Sequence, residues 1–139
     1  AARILNGLPP VIFGDGEQTR DFTFVSETAE GMVRIAECDD LLGANVNLAY
    51  GQEVSVKRVA ELLLAKLGRK DLSIEFLPER PGDVGRHYAN VGMLKQKTGF
   101  CPEIDIEQGL DLFIDWFKDE FKKQPEMLSS IHTKNWVSN

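Results

Sequence analysis

Two arginines are the residues in this sequence best suited to chemistry on an anionic group. Arg20 lies between the turn Gly14-Asp15-Gly16 and the run Phe22-Thr23-Phe24-Val25, and Arg80 lies in the cluster Pro78-Glu79-Arg80-Pro81-Gly82-Asp83. A guanidinium held by flanking strands can donate two parallel hydrogen bonds to a phosphate or a carboxylate. If the two arginines converge, they form a diphosphate clamp. Pro81 and Gly82 stiffen and sharpen their turn, which orients Arg80 and Asp83 before a ligand arrives. On residue types alone, a simpler account is a surface ion pair of Arg20 with Asp21 and a solvated turn at 78–83.

The elements around these residues are readable from pattern. Val11-Ile12-Phe13 is a short β-prone run, Gly14-Asp15-Gly16 is turn chemistry and Phe22–Val25 alternates, which predicts strand, turn, strand. Ser26 is an expected N-cap, followed from Thr28 to Glu37 by a helix with a core-facing stripe of Ala29, Met32, Val33 and Ala36. Asn45 to Tyr50 is predicted as a strand that Gly51 breaks. Ser55 caps a helix with Val59, Leu62, Leu63 and Leu67 on one face, ended by Gly68, and Ser73 to Leu77 is an alternating strand. Asn90 caps a short helix to Thr98, which Gly99 stops. Asp105 with Gln108 forms a capping-box pattern for a final helix whose apolar face is Leu110, Phe113, Ile114 and Phe117. Residues 1–7 read as the last turns of a helix, as though the chain starts in the middle of one.

The 139 residues, 42% apolar and 27% charged, fit one globular domain. We expect a mixed α/β fold, about four helices with several short strands, over residues 1–124. A polar tail follows at 125–139, where Trp136 either docks or stays disordered and His132 is exposed. The net charge of -6 opposes non-specific nucleic-acid binding, and no apolar run reaches membrane-spanning length. No secretory signal is visible, so a cytoplasmic location is expected. Cys38 and Cys101 have no metal-ligand spacing and read as reduced, packed thiols, and His87 and His132 are too few for a metal cluster.

The order of the motifs is more specific than any one of them. Gly14-Asp-Gly-Glu-Gln-Thr-Arg-Asp-Phe-Thr-Phe-Val25 resembles the segment that opens the C-terminal, substrate-binding half of the NAD-dependent epimerase/dehydratase family, extended short-chain dehydrogenases acting on nucleotide sugars. Val46 to Gly51, Arg80-Pro81-Gly82-Asp83-Val84, Gly99 to Pro102 and Glu107 to Leu110 continue the resemblance in register over residues 8 to 118. It implies a nucleotide-diphosphate sugar of UDP or dTDP type as ligand, with Arg20 and Arg80 on the diphosphate, Asp83 on the ribose and the strand at Ile12 and Phe13 beside the base. It also implies that strand 45–50 joins the edge of a sheet built mainly by an N-terminal half. Without that half the edge is open to another chain, including a second copy. Ser26-Glu27, Asn90 and Thr98 depart from the family's usual two aspartates, aspartate and leucine.

The family's dinucleotide turn and its Tyr-x-x-x-Lys pair are absent from these residues. Gly14-Asp15-Gly16 has Thr19 where a third glycine would stand, and Tyr50 and Tyr88 are followed four positions later by Val54 and Gly92. The expectation is therefore a substrate-binding portion of an NAD(P)-dependent sugar epimerase or dehydratase, present as a fragment, a truncated product or a separately encoded half. Alone it binds no cofactor and is inactive. The alternatives are a non-enzymatic, self-associating or binding module derived from such an enzyme, and a vestigial site in which Arg20 and Arg80 are structural.

Overall fold

The computed structural model describes residues 1–124, so the tail at 125–139, with the readings of His132 and Trp136, lies outside the described residues. A four-residue helix α1 (Ala2–Leu5) leads to strands β1 (Val11–Phe13) and β2 (Thr19–Asp21), then helix α2 (Val25–Ala36) and a 3-10 turn at Asp39–Leu41. Strand β3 (Glu53–Ser55) runs directly into helix α3 (Val56–Lys66), and β4 (Glu75–Leu77) and β5 (Arg86–His87) follow. Helices α4 (Gly92–Thr98) and α5 (Ile106–Lys123) complete the mixed α/β fold.

The strands form two small sheets. β1 pairs parallel with β4, and β2 stands between antiparallel β3 and parallel β5. On the second sheet Glu53 accepts from Thr19 at 3.0 Å and from Arg86 Nε at 2.8 and 2.9 Å. The Arg86 hydrogen bonds hold the Glu53 carboxyl below its ordinary range.

Local caps place the helices much as their residues predict. Ser55 accepts from the Arg58 amide at the start of α3, and Asp105 and Gln108 exchange both bonds of a capping box at α5. α3 packs on α5, with Ala60, Leu62 and Leu64 of the first and Leu110 and Ile114 of the second buried. Val59, Leu63 and Leu67 are only half-buried, so the deep face of α3 is turned from the predicted one. Along α5, Phe113, Phe117 and Phe121 follow one another with ring centroids 5.4 and 6.1 Å apart. Ile4 and Leu94 are the most deeply buried large side chains among the described residues.

Four expectations are corrected. The second strand is Thr19–Asp21, and Phe24, not Ser26, is the N-cap of α2. Here Phe22–Val25 is the approach to the helix, which starts one residue before Ser26. The α2 stripe does not face the core: Met32 is 62% exposed, Val33 52% and Val25 73%, and Ala29 and Ala36 are exposed as well. What α2 presses inward is Gly31, where a Cβ would lie 2.4 Å from Leu48. Finally, residues 45–50 form no strand. Their polar groups find single partners instead of a ladder: the Tyr50 amide donates to Thr23 Oγ1 at 3.0 Å and Asn47 Nδ2 to the Asn90 carbonyl at 3.1 Å.

Two of the substituted positions have clear local roles. Glu27 accepts from the amides of Glu103 and Ile104, clasping α2 to the approach of α5. Asn90 is not the expected N-cap of α4, which is Val91 without a side-chain cap; Asn90 instead accepts from the Gly92 amide at 2.9 Å in a local turn just before the helix.

Candidate functional site

The turn between β1 and β2 and the connection from β4 to β5 stand opposite each other. Asp15 Oδ1 accepts from the Glu17 amide at 2.9 Å, closing a tight turn, and the Gln18 amide group donates back to the Phe13 carbonyl at 2.8 Å. At one end the walls are joined by the Gly14 amide on the Leu77 carbonyl, and at the other by the Thr19 amide on the Gly85 carbonyl, each at 2.9 Å. Between them is a cleft of about 440 Å³ lined by Phe13, Gly14, Asp15, Glu17 and Gln18 on one side and by Glu79, Asp83, Val84 and Gly85 on the other. This is ample room for a nucleoside.

Arg20 braces the wall that carries Asp83 and Val84. Its Nη1 donates to the carbonyls of Thr19 and Val84, both at 2.7 Å, and its Nη2 donates to Asp83 Oδ1 at 2.6 Å. The side chains of Arg20 and Asp83 are 26% and 30% exposed, which shields their ion pair only in part. Asp83 Oδ1 also accepts from the Val84 amide at 3.0 Å. The neighbouring Asp21 turns the other way: its carboxylate accepts from the Gly51 amide at 3.1 Å on each oxygen and from the Ala89 amide at 3.4 Å.

The five expected site residues are thus sorted by the fold. Phe13 and Asp83 line one cleft, and Arg20 meets the loop that carries Arg80 three residues before Asp83. Ile12 is 3% exposed, so its side chain belongs to the core and only its main chain borders the turn. The sequence reading missed Gln18, Glu79 and the 84–85 backbone. Their nearness to the Gly14-Asp15-Gly16 and Arg80-Pro81-Gly82-Asp83 motifs was the available signal. The lining carries four carboxylates, Asp15, Glu17, Glu79 and Asp83, and no cationic side chain. Such a lining suits a neutral, donor-bearing group better than a phosphate.

The turn at 14–16 does not fit the pyrophosphate of a dinucleotide. Gly14-Asp15-Gly16 joins β1 to β2, so among the described residues it supplies no helix N-terminus to receive a pyrophosphate.

Residues 1–113 match the family profile of GDP-mannose 4,6 dehydratase. The chain is 34% identical over 120 residues to GDP-mannose 3,5-epimerase of Arabidopsis thaliana, an alignment covering 86% of this chain and 31% of that protein. UDP-glucose 4-epimerase of Thermotoga maritima, solved with UDP-glucose, superposes with a TM-score of 0.79 at 28% identity, covering 86% of this chain and 38% of the other. UDP-glucuronic acid 4-epimerase of Bacillus cereus, solved with UDP-glucuronic acid and NAD, superposes at 0.78 with 27% identity and the same coverage. The chain thus spans between about a third and two-fifths of the length of such relatives.

Proposed function

We propose, on the premise that this chain belongs to the NAD-dependent epimerase/dehydratase family, that it binds the nucleoside diphosphate end of a nucleotide sugar. The nucleoside lies in the cleft between 13–18 and 79–85. The observation that carries the reading is the meeting of the two motif loops, through Arg20 on Asp83 and Val84, around a nucleoside-sized cleft. Phe13 offers an apolar wall beside main-chain groups for the base, and Asp83 offers acceptors to ribose hydroxyls. The acidic lining disfavours the diphosphate within the cleft, and Arg80, three residues before Asp83 on the same loop, is the cation we assign to it. In the complete enzyme the sugar then extends to an NAD(P) held by a dinucleotide-binding half. Remote binding of this kind orients the reacting end.

The test is calorimetric titration with UDP, dTDP and GDP. Binding of at least one is expected, weakened about tenfold or more in Asp83→Ala, which removes the ribose acceptor. Heats at the level of dilution for all three nucleotides would sink the proposal.

The exposed stripe of α2 favours a second element of the reading, that this face is covered by a partner. Val25, Ala29, Met32, Val33 and Ala36 recur at helical spacing on one side, a pattern that ordinarily seeks cover. The dinucleotide-binding half is the partner we propose. The rival is a self-associating module, and sedimentation velocity separates them: a monomer across micromolar concentrations supports the first, and a concentration-dependent dimer that Met32→Glu dissolves supports the second.

A further inference from the structure

We infer that Arg20 is a positioning residue for the nucleoside end of the ligand: by fixing Asp83 and the 83–85 wall it sets the acceptor that a ribose hydroxyl meets. Its loss should therefore weaken even a ligand that carries no phosphate. The inference rests on the proposed nucleoside site and adds a role that an anion clamp would not have.

The argument begins with the donors of the guanidinium. Of five N–H groups, three are engaged, two of them on main-chain carbonyls and one on Asp83. Because the guanidinium is planar and rigid, these three bonds fix the Val84 carbonyl and the Asp83 carboxylate relative to β2. Asp83 uses Oδ1 twice, for Arg20 and for the Val84 amide, while Oδ2 accepts no hydrogen bond among the described residues. One oxygen of the carboxylate is thus anchored, and the other keeps its lone pairs for a ligand. Among the described residues the wall's other backbone hydrogen bonds are those of the Asp83 amide to the Arg80 carbonyl at 3.1 Å and of the Thr19 amide to the Gly85 carbonyl at 2.9 Å. Val84 is 57% exposed, so its side chain contributes little packing to hold the segment among the described residues. Two donors of Arg20, Nε–H and one Nη2–H, have no acceptor among the described residues, so a phosphate contact and the positioning role can coexist.

The experiment compares nucleosides with their diphosphates. Uridine, guanosine, UDP and GDP are titrated by ligand-observed NMR at millimolar concentrations into the wild type, Arg20→Ala, Arg20→Lys, Asp83→Ala and the Arg20→Ala, Asp83→Ala double variant. For whichever base binds, Arg20→Ala is expected to weaken the nucleoside itself about tenfold. Arg20→Lys should lose as much on the nucleoside, because it keeps the charge and lacks the fork, and it carries the comparison if the alanine variant misfolds. In the Asp83→Ala background, removing Arg20 should cost the nucleoside nothing further. Undiminished nucleoside binding by Arg20→Ala with weakened diphosphate binding overturns the inference, because Arg20 then acts through charge alone. Equal further loss in the Asp83→Ala background overturns it too, as does a wild type that binds a diphosphate but no nucleoside. A wild type that binds neither class overturns the nucleotide-site reading itself, an outcome distinct from the others.

Discussion

Gly16→Ala is expected to lower the stability of the chain by about 2–4 kcal/mol and to abolish nucleotide binding. Gly16 has φ +81°, where an L side chain is strained, and an added Cβ would lie 2.9 Å from the Cβ of Lys57. That neighbour is the base of a side chain on the first turn of α3, so rotating Lys57 away does not relieve the overlap. Nor can the backbone shift cheaply, because the Gly16 carbonyl accepts the Lys57 amide at 2.9 Å. The same turn is one wall of the cleft, so the cost falls on stability and on binding together. Urea unfolding of wild type and variant, with an unchanged m-value, measures the first. A midpoint equal to the wild type's would contradict the strain argument.

A second large effect is expected at Leu94, which is 1% exposed on α4. Leu94→Ala should cost about 2–5 kcal/mol, the transfer energy of the lost methyl groups plus the cavity they leave. Against a total of about 5–15 kcal/mol for a domain, that leaves a substantial unfolded fraction in mild denaturant. Met93 provides the control. It is half-exposed on the same turn, and Met93→Ala should shift the thermal midpoint little. Equal losses at the two positions would mean that burial on α4 does not decide its stability.

The parts of this fold that were legible in the sequence are those whose causes are local. Ser55 and the Asp105 and Gln108 pair announce their helices because cap and capped amide are three residues apart. The turn at 14–16 is equally local, since it is made of glycine and a short polar side chain. The errors lie where the deciding partner is remote or absent. Val46, Leu48 and Tyr50 have strand character, yet a strand also needs a neighbour, and residues 45–50 have none among the described residues. The α2 stripe is amphipathic as predicted, but amphipathicity names the apolar side without naming what covers it. Ile12 fell into the expected site because its neighbour Phe13 does, although alternation along β1 sends the two side chains to opposite faces. The pairing of Arg20 with Asp83 joins positions 63 apart, and no local pattern encodes it. Only the order of the family motifs hinted that the two loops meet.

The clamp at Asp21 and the latch at Arg20 also have a kinetic consequence. Their contacts close loops of 30 residues to Gly51, 64 to Val84 and 68 to Ala89. Loop closure on this scale takes its entropy before any contact returns energy, whereas α3 and α5 can form turn by turn. In folding, the helices are therefore expected to form before the cleft, an order that pulsed hydrogen exchange would check. A nucleotide that bound both walls would suppress opening of the cleft by a factor of one plus the ratio of its free concentration to Kd.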